Sequence, residues 1–149
     1  MGYRFMHTLR VRYSEIDGQK IVYNAHYLTY LDVAITEYFR GLGITFTGAS
    51  PDFDIALVRA MLEFKRPARL DDLLDVRVGI KSFGRSSFVA GFQIVHHGGE
   101  DPVLEAEVVY VSYSQEEGRA VPVPGWVRSR IERFEREGVL PEQKEADDM

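Results

Sequence analysis

Residues 13–32 read YSEIDGQKIVYNAHYLTYLD and connect the end of a predicted strand to the start of a predicted helix. Asp17 lies in the polar turn between these two elements. The first backbone N–H groups of a helix have no partner inside the helix, and together they carry about half a positive charge. The Asp17 carboxylate is therefore either a turn-forming group that bonds its own backbone or a group positioned beside the helix for chemistry.

The predicted helix, residues 24–43, is apolar on most of its sides. Its apolar positions form two adjacent stripes, which are Tyr27, Leu31, Ala34, Tyr38 and Leu42, and Leu28, Ile35 and Phe39, with Tyr30 and Val33 extending them. Asn24 is the predicted N-cap, and Gly41 and Gly43 are predicted to end the helix. A helix that is apolar on most sides belongs inside a fold, so we expect this helix to be buried.

The rest of the chain favours strands. A first strand is predicted within residues 7–17, and four more within 55–68, 72–84, 86–98 and 103–115, after a loop at 47–54. The short connections between the later strands favour antiparallel pairing of neighbours. Residues 121–138 predict a short amphipathic helix that starts near Pro124. The order predicts an α+β fold, in which a curved antiparallel sheet of about five strands wraps around the long helix.

Length and composition limit the domain organisation, location and partners that the protein can have. A length of 149 residues suits a single domain, predicted to span residues 1–140, with the acidic residues 141–149 as a disordered tail. The absence of cysteine excludes disulfides and a thiolate nucleophile. No apolar run is long enough to span a bilayer and no signal peptide is recognisable, so we expect a cytoplasmic protein. A net charge of −5 argues against a nucleic-acid partner.

Charge is unevenly distributed along the chain. Residues 59–69, RAMLEFKRPAR, carry four cationic side chains and one glutamate. A local basic segment on an acidic protein suits a small anionic ligand, although a solvated charged face gives the same pattern. His96 and His97 are adjacent but have no evident third ligand, so no metal site is predicted.

Two stretches resemble a known family. VRYSEIDGQKIVYNAHYLTYLDVA (11–34) and LEFKRPARLDDLLDVRVGI (62–80), in this order and separation, resemble the hot-dog fold 4-hydroxybenzoyl-CoA thioesterase family, particularly its Tol-Pal-associated bacterial acyl-CoA thioesterase branch. Looser similarity covers roughly residues 7–133. Lys20 stands where the family commonly has glycine, and Glu15 where it has a second aspartate. The first helical turn reads NAH, where relatives often carry His, Pro or Asn.

The resemblance implies hydrolysis of a small or medium acyl- or aroyl-CoA thioester. Asp17 would act as nucleophile or general base, and the backbone N–H groups of Asn24 and Ala25 would polarise the thioester carbonyl. His26 is a further catalytic candidate. The resemblance also implies a homodimer at least, extending to a homotetramer, with active sites at the subunit interface. We expect no metal and no cofactor other than the CoA thioester substrate.

Candidate substrate-binding residues fall into three groups. They are the pocket-wall tyrosines Tyr23 and Tyr27, the cations Arg59, Lys65 and Arg66, and the turn Gly84, Arg85, Ser86 and Ser87. Backbone N–H groups in a tight turn and arginine side chains both suit the phosphates of CoA.

Two other functions fit the same residues. A hot-dog dehydratase or isomerase would pair His26 with an acid, although the D-x-N-P-x-H pattern of the hydratases is missing. A non-catalytic acyl-CoA binding module would use the same pocket without turnover.

Overall fold

A computed structural model describes residues 2–45 and 53–138. Most of the loop predicted at 47–54 lies outside these residues, as does the whole tail predicted at 141–149. Within the two described ranges, no helix has the length and apolar character needed to cross a membrane.

The described chain forms one sheet and two main helices. The elements are β1 (Phe5–Arg10), α1 (His26–Gly41), β2 (Asp54–Phe64), β3 (Leu73–Phe83), β4 (Ser87–His96), β5 (Pro102–Ser114), β6 (Arg119–Ala120) and α2 (Gly125–Glu137). Five antiparallel strands follow the order β1-β3-β4-β5-β2, and the two-residue β6 pairs with the end of β5. Register shifts interrupt three of the pairings, and such bulges bend a sheet. The predicted fold class is confirmed.

The pairing of β2 differs from the sequence-based expectation. Strands β3, β4 and β5 pair as consecutive neighbours, but β2 pairs with β5 and forms the far edge of the sheet. Residues 65–72 therefore cross between separated strands instead of turning a hairpin. Ala68, in the middle of this crossing, is fully buried, and its carbonyl accepts a hydrogen bond of 2.8 Å from the Val22 N–H. The crossing is held against the residues that precede α1.

One side of α1 packs against the sheet. The buried sheet positions alternate as predicted and include Leu74, Val76 and Val78 of β3, Phe88, Ala90, Phe92 and Ile94 of β4, and Leu104 and Val108 of β5. Val33, on the side of α1 away from the sheet, remains 39% exposed, and Leu28, near the start of the helix, remains 37% exposed. A single sheet covers only one side of a helix, so one chain does not bury α1 all round.

The N-cap of α1 differs from the predicted one. The N-cap position is Ala25, and no side chain caps the helix. The prediction of Asn24 as N-cap is wrong because the His26 N–H already bonds the Tyr23 carbonyl at 2.9 Å, so that the chain enters the helix through a backbone turn. The end of α1 is as predicted, with Gly43 at a φ of 70° and its N–H bonded to the Arg40 carbonyl.

The first strand has six residues and begins at Phe5, two residues before the 7–17 segment in which the sequence predicts it. β1 ends at Arg10, and Tyr13–Glu15 form one turn of 3-10 helix. The Glu15 carboxylate accepts a hydrogen bond from the Arg12 N–H at 2.8 Å, and the Glu15 N–H bonds the Arg12 carbonyl. These local bonds replace the ladder bonds that a longer strand would make.

Helix α2 starts after Pro124, as predicted, and packs across the end of α1. Glu135 of α2 accepts hydrogen bonds from the Tyr38 hydroxyl and from the Ile80 N–H of β3. Arg130 donates to the Leu42 carbonyl at 3.2 Å, beyond the end of α1. These contacts fix α1, β3 and α2 to one another at the end of α1 that lies away from Asp17.

Asp75 of β3 joins an edge strand to a neighbouring turn. Its carboxylate is buried and bonded by the Thr8 hydroxyl at 2.7 Å, His97 Nδ1 at 2.9 Å and the Gly98 N–H at 3.3 Å. Burial opposes ionisation, but the hydrogen bonds from His97, Thr8 and Gly98 outweigh it and lower the pKa of Asp75.

Replacing Asp75 with asparagine is expected to change how stability depends on pH. Because the pKa of Asp75 is lower in the folded state, its stabilisation is present above the unfolded-state pKa of about 3.9 and is lost as the pH falls through the folded-state value. Asp75→Asn should lower the free energy of unfolding at pH 7 by about 2 kcal/mol and flatten its decline in acid. Urea titrations between pH 3 and pH 7 measure both effects. The exposed Asp101→Asn variant is the control, and an equal acid slope in all three proteins would contradict the assignment.

Candidate functional site

Asp17 occupies a tight turn that uses only part of its carboxylate. The Asp17 N–H bonds the Ile21 carbonyl at 2.9 Å, and the Asp17 carbonyl accepts from the Lys20 N–H at 2.9 Å. Asp17 Oδ1 accepts from the Gln19 N–H at 2.8 Å, so the turn-forming role is confirmed for this oxygen. Oδ2 accepts no hydrogen bond from any residue within 2–45 or 53–138. The turn therefore orients the carboxylate and leaves one oxygen for another partner.

Lys20 keeps the backbone conformation that a glycine would adopt. Its φ is 64°, in the left-handed region where a side chain is disfavoured and glycine is not. Lys20 therefore occupies a backbone position that glycine would fill without strain.

Two short backbone contacts place this turn beside α1. Ile16 pairs with Val22 across the turn, and Ile21 pairs with Arg69 of the crossing segment. Residues 21–22, which lie between Asp17 and α1, are thus paired with Ile16 on one side and with Arg69 of the crossing segment on the other.

Two backbone N–H groups directly before α1 are free. The N–H groups of Asn24 and Ala25 donate no hydrogen bond in the part of the chain that the structure describes, and both residues are exposed. The His26 N–H, in contrast, is used by the Tyr23 carbonyl. An uncapped helix start with unused donors can stabilise negative charge on a carbonyl oxygen.

The His26 ring contacts the Tyr23 ring edge to face, with 6.2 Å between the ring centroids. Neither ring nitrogen of His26 bonds a carboxylate among the described residues. Tyr23 is exposed, and its N–H bonds the Glu15 carbonyl at 2.9 Å. The geometry thus gives His26 an aromatic neighbour and not the acid partner of a dehydratase.

A cleft of about 240 Å³ opens beside the start of α1. It is lined by Ile21, Val22, Asn24, Tyr27, Phe64, Lys65, Arg66 and Pro67. Four of the predicted site residues, Asn24, Tyr27, Lys65 and Arg66, therefore come together. Phe64, whose ring meets that of Tyr27 at 5.6 Å, was not predicted, although an aromatic residue at the end of a strand in LEFKRPA was a signal for it.

Tyr27 forms the buried wall of this cleft. Its hydroxyl oxygen accepts a hydrogen bond of 3.3 Å from the Ala68 N–H, which links α1 to the crossing segment. Burial raises the pKa of Tyr27, so the hydroxyl stays protonated at neutral pH. This agrees with the predicted role as pocket wall.

Lys65 and Arg66 form the cationic rim of the cleft. Lys65 Nζ pairs with Glu63 at 2.9 Å, and Arg66 Nη1 donates to the Pro102 carbonyl at 3.0 Å. Both side chains are exposed, so their contacts compete with solvent and are open to exchange for an anionic group.

The other predicted binding residues lie away from this cleft. Arg59 pairs with Val109 on the sheet face opposite to α1, because Ala60 and Leu62 occupy the α1 side. The Gly84–Ser87 turn lies beside Ser112, whose N–H bonds the Ser86 carbonyl, whereas Lys65 bonds the Val103 carbonyl. Val103 and Ser112 are nine positions apart on β5, a span of roughly 30 Å. A single chain does not bring this turn to the cleft.

Glu15 is a buried carboxylate next to the Asp17 turn. Only 4% of it is exposed, and it accepts hydrogen bonds from Arg12 and from the Tyr30 hydroxyl. Burial opposes its ionisation, but the bonds from the Arg12 side chain and backbone and from Tyr30 outweigh this effect and lower the pKa of Glu15. The sequence marked this position only as a departure from the family.

The adjacent histidines are each engaged by a different carboxylate. His96 Nε2 lies 3.0 Å from Asp72 Oδ2, and His97 Nδ1 lies 2.9 Å from Asp75 Oδ1. Within residues 2–45 and 53–138, no group of three or more metal-ligating side chains is present.

Comparisons with known proteins show which family the chain resembles. The family model of the thioesterase-like superfamily matches residues 11–131. The Escherichia coli acyl-CoA thioester hydrolase YbgC is 34% identical over 109 residues, which cover 72% of this chain and 80% of that protein. A putative esterase from Aquifex aeolicus is 27% identical over 89 residues, which cover 59% of this chain and 70% of that protein.

Solved structures share the fold. A Thermus thermophilus thioesterase crystallised with coenzyme A and zinc superposes with a TM-score of 0.77 and 26% identity, over 93% of this chain and 98% of that one. A putative thioesterase from Pseudomonas aeruginosa gives a TM-score of 0.78 over 87% of this chain and 99% of that one, at 23% identity. With a family match over most of its length and a relative above 30% identity, the chain belongs to the thioesterase-like superfamily.

Proposed function

We propose that this protein is an acyl-CoA thioester hydrolase with Asp17 as its catalytic carboxylate. The observation that supports the proposal most is the junction of the Asp17 turn with the uncapped start of α1. The Asp17 N–H bonds Ile21, which lines the cleft, and Asn24 lines the same cleft three residues later. Thioester hydrolysis needs a nucleophile or an activated water, and donors for the carbonyl oxygen; a carboxylate and free backbone N–H groups can supply them.

The proposed reaction starts with the thioester carbonyl directed at the N–H groups of Asn24 and Ala25. These donors stabilise the negative charge that develops on the carbonyl oxygen. Asp17 Oδ2 either attacks the carbonyl carbon, which gives an acyl-aspartyl anhydride that water then cleaves, or removes a proton from the water that attacks. Both routes break the carbon–sulfur bond and release the CoA thiol and the carboxylic acid. No cofactor is needed in either route.

The rim of the cleft suits the polar parts of CoA. Lys65 and Arg66 offer positive charge beside Tyr27 and Phe64, whose rings offer an apolar wall. Arg59 and the Gly84–Ser87 turn can serve the same cleft only from another subunit, because they lie on a different face or at the other end of the sheet of their own chain.

Asp17→Asn is the variant that tests the proposal. It keeps the Oδ1 acceptor of the turn but removes the carboxylate, so we expect thiol release from a panel of acyl- and aroyl-CoA thioesters to fall about a thousandfold. Asp101→Asn, an exposed turn aspartate, should keep wild-type activity. Thiol release followed with a chromogenic thiol reagent measures each rate.

The other outcomes point to other functions. Activity that survives in Asp17→Asn would overturn the assignment of Asp17 and leave the reaction class in place. A folded wild type that binds acyl-CoA without releasing thiol would identify a binding module. A water-elimination activity that His26→Ala abolishes would identify a dehydratase.

We propose further that the protein is a homodimer joined along β2. This eleven-residue strand lies at the sheet edge, and Leu57, Val58 and Met61 are between 48% and 60% exposed. A long apolar edge strand has unpaired backbone groups and favours pairing with another strand. A second copy could also cover the exposed side chains of Leu28 and Val33 of α1.

Val58→Lys should disrupt this dimer. It places two like charges near each other across a paired β2 edge, so we expect the dissociation constant to rise at least about tenfold. Met6→Lys on β1, at the opposite edge of the sheet and 50% exposed, is the matched control and should leave the dimer intact. Light scattering after size exclusion reports both and also the pairing of dimers into tetramers. A wild-type monomer, or equal dissociation of both variants, would contradict the β2 interface.

Lys20→Gly should stabilise the protein and leave thiol release unchanged. Glycine adopts a φ of 64° without the steric cost of a side chain, and this outweighs its greater freedom in the unfolded chain. We expect the free energy of unfolding to rise by about 0.5–1 kcal/mol in urea titrations. Gln19→Gly in the same turn lacks a positive φ to relieve and should destabilise instead. A loss of activity in Lys20→Gly would show that the lysine side chain takes part in the reaction.

A further inference from the structure

The Glu15 carboxylate accepts four hydrogen bonds, three from Arg12 and one from Tyr30. Arg12 donates to its carboxylate from the backbone N–H at 2.8 Å, from Nε at 2.9 Å and from Nη2 at 2.7 Å. The Tyr30 hydroxyl donates to Oε1 at 2.8 Å in a buried contact. Burial and this bond both raise the pKa of Tyr30, so the hydroxyl remains a donor at neutral pH.

These contacts join three parts of the proposed active site. Arg12 leads out of β1, Tyr30 lies one turn inside α1, and Glu15 is two residues before Asp17. The Glu15 carbonyl also accepts the Tyr23 N–H at 2.9 Å, and Tyr23 directly precedes the free donors of Asn24 and Ala25. The Glu15 side chain thus bonds Arg12 before the Asp17 turn and Tyr30 in α1, and the Glu15 carbonyl bonds Tyr23 after the turn.

We infer that Glu15 and Tyr30 are positioning residues, which fix the distance between the Asp17 carboxylate and the backbone donors at the start of α1. The inference rests on the proposed function, because it assigns the pair a role in that reaction. An error of about 1 Å in the placement of reacting groups can cost about a hundredfold in rate. A rigid link between the turn and the helix is therefore expected to affect turnover more than substrate affinity.

A second pair in the same helix supplies a matched control. Tyr38 also lies on α1, is buried, and donates its hydroxyl to a glutamate, Glu135 of α2. Tyr38 follows Tyr30 by two helical turns and contacts Phe5 and Phe134, none of which lines the cleft. Tyr30→Phe and Tyr38→Phe remove the same kind of bond at the two ends of one helix.

The test compares these two variants with the wild type. Tyr30→Phe should lower kcat about tenfold, with KM changed by less than about twofold and with unchanged binding of a thioether CoA analogue that cannot be hydrolysed. Tyr38→Phe should lower the melting temperature but leave kcat unchanged. Activities are measured well below both melting temperatures, so that loss of folded protein does not contribute. Unchanged kcat in Tyr30→Phe, or equal losses in the two variants, would overturn the inference.

A double-mutant cycle with Glu15→Ala tests the bond itself. If the pair acts through the Glu15–Tyr30 contact, Tyr30→Phe should cost about tenfold in kcat in the wild-type background and little in the Glu15→Ala background. Equal losses in both backgrounds would show that Tyr30 does not act through Glu15. If Glu15→Ala does not fold, the comparison of Tyr30→Phe with Tyr38→Phe still decides.

The same experiments separate this inference from the proposed function. A wild type without thiol release overturns the proposed function and the positioning role together. A wild type that loses activity in Asp17→Asn but keeps it in Tyr30→Phe overturns the positioning role alone.

Discussion

The backbone contact between residues 21–22 and 68–69 is the constraint on which the candidate site depends. Val22 donates to the Ala68 carbonyl and Ile21 pairs with Arg69, so the approach to α1 is held against the segment that crosses from β2 to β3. Tyr27 strengthens the same junction by accepting the Ala68 N–H. Without these bonds, the buried backbone of the crossing would lose its partners and the cleft would lose one of its walls.

This junction explains why the candidate catalytic groups lie close to the start of α1. The sheet covers one side of the helix along its length, and the Tyr27 hydroxyl bonds the crossing segment at 3.3 Å, so the first turn of the helix has a fixed position. The Asp17 turn is fixed from the other side by Glu15, which ties it to Arg12 and Tyr30. In the proposed reaction, the uncapped helix start and the Asp17 oxygen that no described residue bonds would provide preorganised charges, which are usually the largest source of catalysis in such sites.

A single chain leaves the proposed site open. The outer side of α1 and the β2 edge keep apolar side chains in solvent, and Arg59 and the Gly84–Ser87 turn face away from the cleft of their own chain. The proposed homodimer accounts for both observations, because a second copy would cover the apolar edge and could supply cations to the cleft.

The sequence by itself determined the class of fold, the alternation of the buried strand positions, the place of α1 and the two motifs around Asp17 and Ala68. These follow from local periodicity and turn chemistry, which act over a few residues. Only the tertiary structure decided that β2 lies at the far edge, that Phe64 meets Tyr27, and that Gly84–Ser87 lies far from Lys65. Each of these depends on contacts between residues distant in sequence, and no local pattern encodes which distant partner a strand or side chain will meet.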